Sequence, residues 1–124
     1  MEILKLAREH EDLVVSLRRH LHQHPELSDQ EFETLRFLRE RLDAFAIPYI
    51  EVENGGILGF LGDASRGGTV LLRADIDALP IQEENGVEYR SQTDGVMHAC
   101  GHDAHTASLL GAAKVLSANR SRFG

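Results

Sequence analysis

The residues with the clearest capacity for chemistry lie in the stretch Cys100-Gly101-His102-Asp103. A thiol and an imidazole separated by one residue point to the same side of an extended backbone, and Gly101 leaves that backbone free to bend around an ion. A thiolate beside an imidazole suits zinc or another borderline-soft metal. The spacing alone nevertheless favours a plainer interpretation, in which Cys100 is a small buried residue and His102 a loop histidine, because a catalytic zinc needs three protein ligands.

Neighbouring side chains extend this candidate site. Asp103 and His105 can serve as ligands or as outer groups that orient a ligand. His98 is either a third ligand or a loop residue, and the loop residue is favoured. A cysteine nucleophile at Cys100 with His102 as its base is conceivable, but two residues on one extended segment are poorly placed for contact.

A second candidate group is Asp75-Ile76-Asp77, which follows the apolar run Thr69 to Ala74. That run predicts a central strand covered on both faces, and ligands bind beyond the carboxyl ends of such strands. Alternate residues share one side, so both carboxylates can face one cleft as metal ligands or as groups that hold a ligand imidazole. A simple strand-end turn is an equally good alternative, because Asp favours turns.

Two further polar groups resemble sites but are expected to be solvated: the histidines His20, His22 and His24, and the glutamates Glu83 and Glu84. A helix sends His22 to the opposite side from the other two histidines. The glutamates precede an Asn-Gly turn signal. We therefore expect neither group to bind a ligand.

The elements that must position these residues begin with two helices. The first is predicted from Ile3 to Gln23, and it should end before Pro25. Ser28 and Glu31 form a capping-box pattern for the second helix, which should end near Ile47. The apolar stripes of the two helices are Leu6, Leu13, Leu17 and Leu21, and Phe32, Leu35, Leu38, Leu42 and Phe45.

A hairpin, the Thr69–Ala74 strand, a long polar loop and a last helix follow. The hairpin pairs Tyr49–Glu53 with Ile57–Leu61 across an Asn-Gly turn. The loop runs from Asp75 to Gly101, a length that usually indicates function. Asp103 is expected to cap a helix from Ala104 to Leu116. This helix should bury Leu109, Ala112, Ala113 and Leu116 and allow close packing at Ala107 and Gly111. The order predicts part of an α/β sandwich.

The composition excludes several classes of function. The chain has 124 residues, 42% hydrophobic and 27% charged, as in a soluble globular domain. A net charge of -7 argues against nucleic-acid binding. A single cysteine suits a reducing compartment, and no segment resembles a signal peptide or a membrane span. The expected location is cytoplasmic, with no membrane partner.

Three long motifs occur in order: RRHLHQHPELS from Arg18, LRADIDALP from Leu72 and MHACGHDAH from Met97. With them, the sequence up to about Leu116 resembles the N-terminal part of amidohydrolases that cleave N-acyl amino acids. That group includes hippurate hydrolases, auxin-conjugate hydrolases and N-acetyldiaminopimelate deacetylases, which are relatives of aminoacylase and carboxypeptidase G.

The resemblance implies a zinc-peptidase-like three-layer α/β sandwich, of which this chain holds an incomplete sheet. Residues 1–116 would be the N-terminal part of the catalytic metal-binding domain. Residues 117–124 depart from the expected continuation and are interpreted as an atypical truncated tail. The inserted dimerisation domain of the family is expected to be absent, although the full-length protein would be a homodimer.

The resemblance also implies a site. Cys100 and His102 match the cysteine and histidine that bind two divalent ions, usually zinc, manganese, nickel or cobalt. Asp77 matches an aspartate that orients a metal-bound group, whereas Asp75 stands where distant relatives have a histidine ligand. The glutamate base of the family lies outside this chain, so the chain alone is expected to have little or no activity on N-acyl amino acids or related amides. The alternative is a non-catalytic truncated product that binds metal weakly.

Overall fold

The computed structural model describes residues 2–123 and contains four α-helices and one β-hairpin. The elements are α1 (Glu2–Glu9), α2 (Glu11–Gln23), α3 (Phe32–Ala44), β1 (Tyr49–Val52), β2 (Gly56–Gly59) and α4 (His102–Ala118), with short 3-10 turns at Ala64–Arg66 and Arg120–Arg122. This mixture of helices and strands confirms the predicted α/β class. Within the described range, none of the helices is both long enough and apolar enough to cross a membrane.

The predicted N-terminal helix is interrupted at His10, which separates α1 from α2. His10 has φ -108° and ψ 11°, outside the helical range. The buried apolar residues of this region, Leu17 and Leu21, both lie in α2, whereas α1 buries none of its residues. The predicted apolar stripe is therefore correct for its second half, and the single continuous helix was wrong.

The start of α3 is capped by a residue that the sequence pattern did not indicate. The two carboxylate oxygens of Glu26 accept hydrogen bonds from the backbone N–H groups of Thr34 at 2.5 Å and Glu33 at 3.2 Å. Glu31 occupies the N-cap position without a capping hydrogen bond. The predicted Ser28–Glu31 capping box was wrong because the chain turns between Leu27 and Gln30 before the helix begins.

The core lies between α2 and α4 and continues to α3. Ala107 is fully buried, and a Cβ atom on Gly111 would lie 2.5 Å from Val14 Cγ2. This confirms the prediction that these two small residues allow close packing. The predicted buried stripe of α4 was wrong: its buried residues are Asp103, Thr106, Ala107, Leu110 and Gly111. Because α4 is apolar on most of its surface, periodicity does not select one face.

The hairpin is confirmed, with Tyr49 opposite Gly59 and Val52 opposite Gly56. Asn54 and Gly55 both have positive φ, as the turn requires. The predicted buried strand Thr69–Ala74 was wrong, because this segment forms no strand and its apolar side chains are exposed, Val70 by 82%. A strand needs a neighbour, and none of residues 2–123 pairs with the segment.

The long loop after this segment is irregular, as predicted, but it is anchored at defined points. Ala78 pairs with Leu27, and Leu79 exchanges backbone hydrogen bonds of 2.9 and 3.0 Å with Met97. These bridges fix both ends of the loop beside the start of α4. At the other end of α4, Arg122 forms an ion pair with Glu2 at 3.2 Å. Met1 and Gly124, the outermost residues of the two predicted segments, lie outside the described residues.

Candidate metal centre

His102 is the first residue of α4, and Gly101 before it is the N-cap. Gly101 has φ +101° and ψ 11°, a conformation that glycine adopts without a steric penalty. This turn separates Cys100, whose side chain is exposed, from the helix. Asp103, predicted as the N-cap, lies instead in the first turn, where its Oδ1 accepts a hydrogen bond from the Ala104 N–H at 2.9 Å.

The imidazole of His102 is oriented by Asp77. Its Nδ1 lies 2.9 Å from Asp77 Oδ1 and 3.1 Å from the Asp77 backbone carbonyl oxygen. Both neighbours are acceptors, so Nδ1 carries the proton and donates it. This fixes the tautomer in which Nε2 keeps its lone pair, the arrangement that metal-binding histidines adopt.

Asp75 faces the other edge of the same ring. Its Oδ2 lies 3.9 Å from His102 Nε2, and its Oδ1 accepts a hydrogen bond from Arg73 at 2.5 Å. The Thr106 hydroxyl donates to the Asp75 backbone carbonyl at 2.9 Å, which attaches this segment to α4. The structure thus brings both predicted aspartates together at His102, with Asp77 in direct contact.

Asp103 and His105 point to different environments. The Asp103 carboxylate is buried, and its Oδ2 lies 2.9 Å from Arg18 Nε and 2.7 Å from His22 Nδ1. His105 is exposed, and its ring centroid lies 5.9 Å from that of His102. Asp103 therefore faces α2, whereas His105 shares the open side of the first turn with His102.

His22 and Glu83 are the main residues that sequence reasoning missed. Both were expected to be solvated, and both are almost fully buried, at 3% and 2% exposure. His22 Nε2 lies 2.9 and 3.1 Å from the two Glu83 oxygens. The available signal was the helical position of His22 beside Leu21 on the core face. The exposure of His20, His24 and Glu84 agrees with the prediction.

The Glu83 carboxylate is held in its charged form. Burial would raise its pKa, but hydrogen bonds from His22, from the Ser91 backbone N–H at 2.6 Å and from Asn85 at 3.1 Å lower the pKa to about 2. The shift reflects a carboxylate whose lone pairs are satisfied by donors rather than by water.

His98 is a loop residue, as expected, but it is buried to 5% exposure. Neither ring nitrogen has a hydrogen-bond partner among the described residues. Burial lowers the pKa of His98, so the ring is held neutral.

The donor set in the described residues suits part of a metal centre. The His102 ring has a free Nε2 lone pair, and the Cys100 thiol is exposed beside it in sequence. Within residues 2–123, no group of three or more His, Cys, Asp or Glu side chains is arranged to hold an ion. A metal centre that used Cys100 and His102 would therefore need donors beyond those that these residues bring together.

Comparisons with known proteins agree with this chemistry. Residues 71–124 match the model of peptidase family M20/M25/M40. The chain is 49% identical over 119 residues to an N-acyl-L-amino acid amidohydrolase of Geobacillus stearothermophilus, covering 94% of this chain and 32% of that protein. It is 48% identical over 111 residues to an N-acetyl-L-cysteine deacetylase of Bacillus subtilis, covering 89% of this chain and 27% of the relative.

A solved structure is also similar to this chain. The YxeP protein of Bacillus subtilis, described as a dinuclear metal-binding peptidase of the M20 family, superposes with a TM-score of 0.85 at 41% identity. The superposition covers 92% of this chain and 33% of that one. The chain thus spans about a third of the length of these relatives. The motifs, the fold and these similarities together establish that the chain belongs to peptidase family M20.

Proposed function

We propose that the protein carrying this chain hydrolyses the amide bond of N-acyl amino acids or related amide conjugates with the aid of two divalent metal ions. Cys100 and His102 are proposed as ligands, and Asp77 as the residue that orients His102. The observation that carries the proposal is the 2.9 Å hydrogen bond between Asp77 Oδ1 and His102 Nδ1, which leaves Nε2 available.

The relatives support the reaction class. One is named for the hydrolysis of N-acyl-L-amino acids and another for the deacetylation of N-acetyl-L-cysteine. Both names describe cleavage of the amide bond between an acyl group and an amino acid nitrogen. Divalent ions at such a centre act as Lewis acids on the amide carbonyl and lower the pKa of water.

The residues of this chain have distinct proposed roles. Cys100 supplies a soft thiolate and His102 a borderline imidazole, a pair that accepts zinc, manganese, nickel or cobalt. Asp77 holds the His102 ring in place through Nδ1. Asp75 and His105 line the open side of His102 at 3.9 Å from Nε2 and 5.9 Å between ring centroids, where they would act outside the ligand set.

The wider organisation is also proposed. Residues 1–116 would form the N-terminal part of a catalytic domain, with residues 117–124 as a tail and dimerisation through a domain outside this chain. The free, exposed thiol of Cys100 favours a reducing compartment such as the cytoplasm.

The test is a hydrolysis panel with the complete protein encoded in this reading frame. N-acetyl and N-benzoyl amino acids are incubated with enzyme, with chelator-treated enzyme and with chelator-treated enzyme resupplied with Zn²⁺, Mn²⁺, Ni²⁺ or Co²⁺. The expected result is hydrolysis that chelation abolishes and one of these ions restores. Hydrolysis that survives complete metal removal would contradict the proposal.

A non-catalytic product that binds metal weakly is the competing proposal. It predicts that the complete protein releases no amino acid from any substrate under any metal condition, although metal binding persists. The same panel separates the two proposals.

A further inference from the structure

We propose that Arg18, His22 and Glu83 form a positioning network that holds both flanks of the Cys100–His102 segment in place. This inference rests on the proposed function, since it assigns a role in the same centre to the Arg18–Ser28 motif. None of the three residues is proposed as a ligand. They would act through Asp103 and through the loop before Cys100.

His22 lies between two buried carboxylates that come from different parts of the chain. Its Nδ1 is 2.7 Å from Asp103 Oδ2, and its Nε2 is 2.9 Å from Glu83 Oε2. Each nitrogen faces a buried carboxylate oxygen. The His22 ring of α2 therefore joins α4 to the long loop.

Both buried carboxylates of the network have partners. Arg18 Nε lies 2.9 Å from the same Asp103 oxygen, so Arg18 and His22 both contact Asp103, and His22 also contacts Glu83. Burying an unbalanced charge would be costly, whereas a paired and fully hydrogen-bonded set is tolerated. The Arg18 side chain is 35% exposed, so the network reaches solvent at this end only.

The first contact fixes the segment after the ligands. Asp103 directly follows His102 in the first turn of α4, and its Oδ1 also caps the Ala104 N–H. Because adjacent residues share one peptide unit, a shift of Asp103 moves the His102 backbone. Arg18 and His22 would thereby help to set the position of His102 through the neighbouring residue Asp103.

The second contact fixes the segment before the ligands. Glu83 accepts from the Ser91 N–H at 2.6 Å, and the Ser91 hydroxyl donates to the Val96 carbonyl at 2.6 Å. Val96 adjoins Met97, which is bridged to Leu79. These contacts fix the chain between Glu83 and Met97, and Met97 lies three residues before Cys100.

Between these two anchors lies Gly101, with its positive φ. A glycine turn alone does not fix the relative orientation of Cys100 and His102. Replacing a buried ion network by apolar residues of similar volume is often neutral or stabilising, but in some proteins such a network specifies one conformation. This network contacts the chain on both sides of the glycine turn, where it would have that effect.

The experiment compares Arg18→Gln with Arg19→Gln, the exposed neighbouring arginine that contacts Tyr89. Co²⁺ affinity of the 124-residue chain is measured by titration, and backbone amide resonances of residues 100–103 are measured by NMR. We expect Arg18→Gln to weaken Co²⁺ binding about tenfold or more and to shift these resonances. Arg19→Gln should change neither, and Arg18→Lys should recover part of the affinity.

Wild-type affinity in a folded Arg18→Gln variant would overturn the inference. His22→Gln should weaken Co²⁺ binding further. If the His22→Gln variant fails to fold, the Arg18→Gln result decides whether the network positions the Cys100–His102 segment. If the wild-type chain binds no Co²⁺, the assignment of Cys100 and His102 as ligands within this chain fails rather than the network. The amide resonances then decide: displacement in Arg18→Gln but not in Arg19→Gln supports the network, and unchanged resonances refute it.

Discussion

His102 Nδ1 lies 2.9 Å from Asp77 Oδ1, although 25 residues separate them in sequence. The contact joins the start of the long loop to the first residue of α4. It also selects the imidazole tautomer of His102. Asp77 is itself fixed because the next residue, Ala78, pairs with Leu27. A side chain with the chemistry of a ligand is thus oriented before any ion binds.

Removing the Asp77 carboxylate should weaken metal binding. In Asp77→Ala, His102 loses the acceptor that fixes its ring, and we expect Zn²⁺ affinity to fall about 10- to 100-fold. Isothermal titration calorimetry of the chain measures this change. Asp94→Ala, at an exposed loop position, is the matched control and should bind as the wild type does. Equal affinities for the two variants would show that Asp77 does not orient a ligand.

Glu83 should make the stability of the fold depend on pH. Its pKa falls from 4.5 to about 2 on folding, so its contribution is complete above pH 4.5 and is lost as the pH falls towards 2. A shift of this size corresponds to roughly 3 kcal/mol at most, at about 1.4 kcal/mol per pKa unit. Denaturant unfolding between pH 2 and 6 measures it.

The control for this prediction is Glu83→Gln, which cannot ionise. Its free energy of unfolding should be lower than that of the wild type at pH 6, and the gap should narrow as the pH falls. A gap that stays constant down to pH 2 would show that the Glu83 charge does not contribute.

Gly111 should not tolerate alanine, although alanine favours helices. The exchange gains about 1 kcal/mol in helix propensity, but the new Cβ would lie 2.5 Å from Val14 Cγ2. Val14 is β-branched and cannot easily rotate away, so overpacking should cost about 1–3 kcal/mol. Thermal unfolding should show a net loss. In a Val14→Ala background the same exchange should become neutral or stabilising, and a loss there would contradict the assigned contact.

Gly101 should be sensitive for a different reason. No atom lies within 4 Å of a Cβ added there, but its φ of +101° is unfavourable for every L-residue with a side chain. Gly101→Ala should therefore destabilise the fold by about 1–2 kcal/mol. Gly86→Ala, which meets no neighbour within 4 Å, should change stability by less. Urea denaturation measures the free energy of unfolding of both variants. Equal losses would show that the positive φ of Gly101 does not make this position more sensitive.

The elements that sequence patterns predicted well are those stabilised by nearby residues. The hairpin around Asn54-Gly55 forms as expected because the Asn-Gly turn favours it. The close approach at Gly111 followed from residue size. The Thr69–Ala74 run was misjudged because burial depends on a neighbouring strand, which periodicity cannot supply.

In the candidate site, too, sequence patterns indicated the residues near one another in the chain and missed the contacts between distant residues. Spacing indicated that Asp75 and Asp77 can face one cleft, the motif resemblance singled out His102, and the structure brings the three residues together. Glu83 was missed because its buried partner His22 lies 61 residues away, and the contact of His22 with Asp103 spans 81 residues. Charged residues are rarely buried unless paired, and a pairing over such distances leaves no local pattern.

The most direct test of the central claim, that Cys100 and His102 are metal ligands, is a Co²⁺ titration of the chain followed by absorption. A cysteine thiolate bound to cobalt gives a ligand-to-metal charge-transfer band in the near ultraviolet. We expect a saturable band that disappears in Cys100→Ala, weakens in His102→Ala and persists in the control His24→Ala. The same band in Cys100→Ala, or no band in the wild type at saturating Co²⁺, would show that Cys100 is not a ligand.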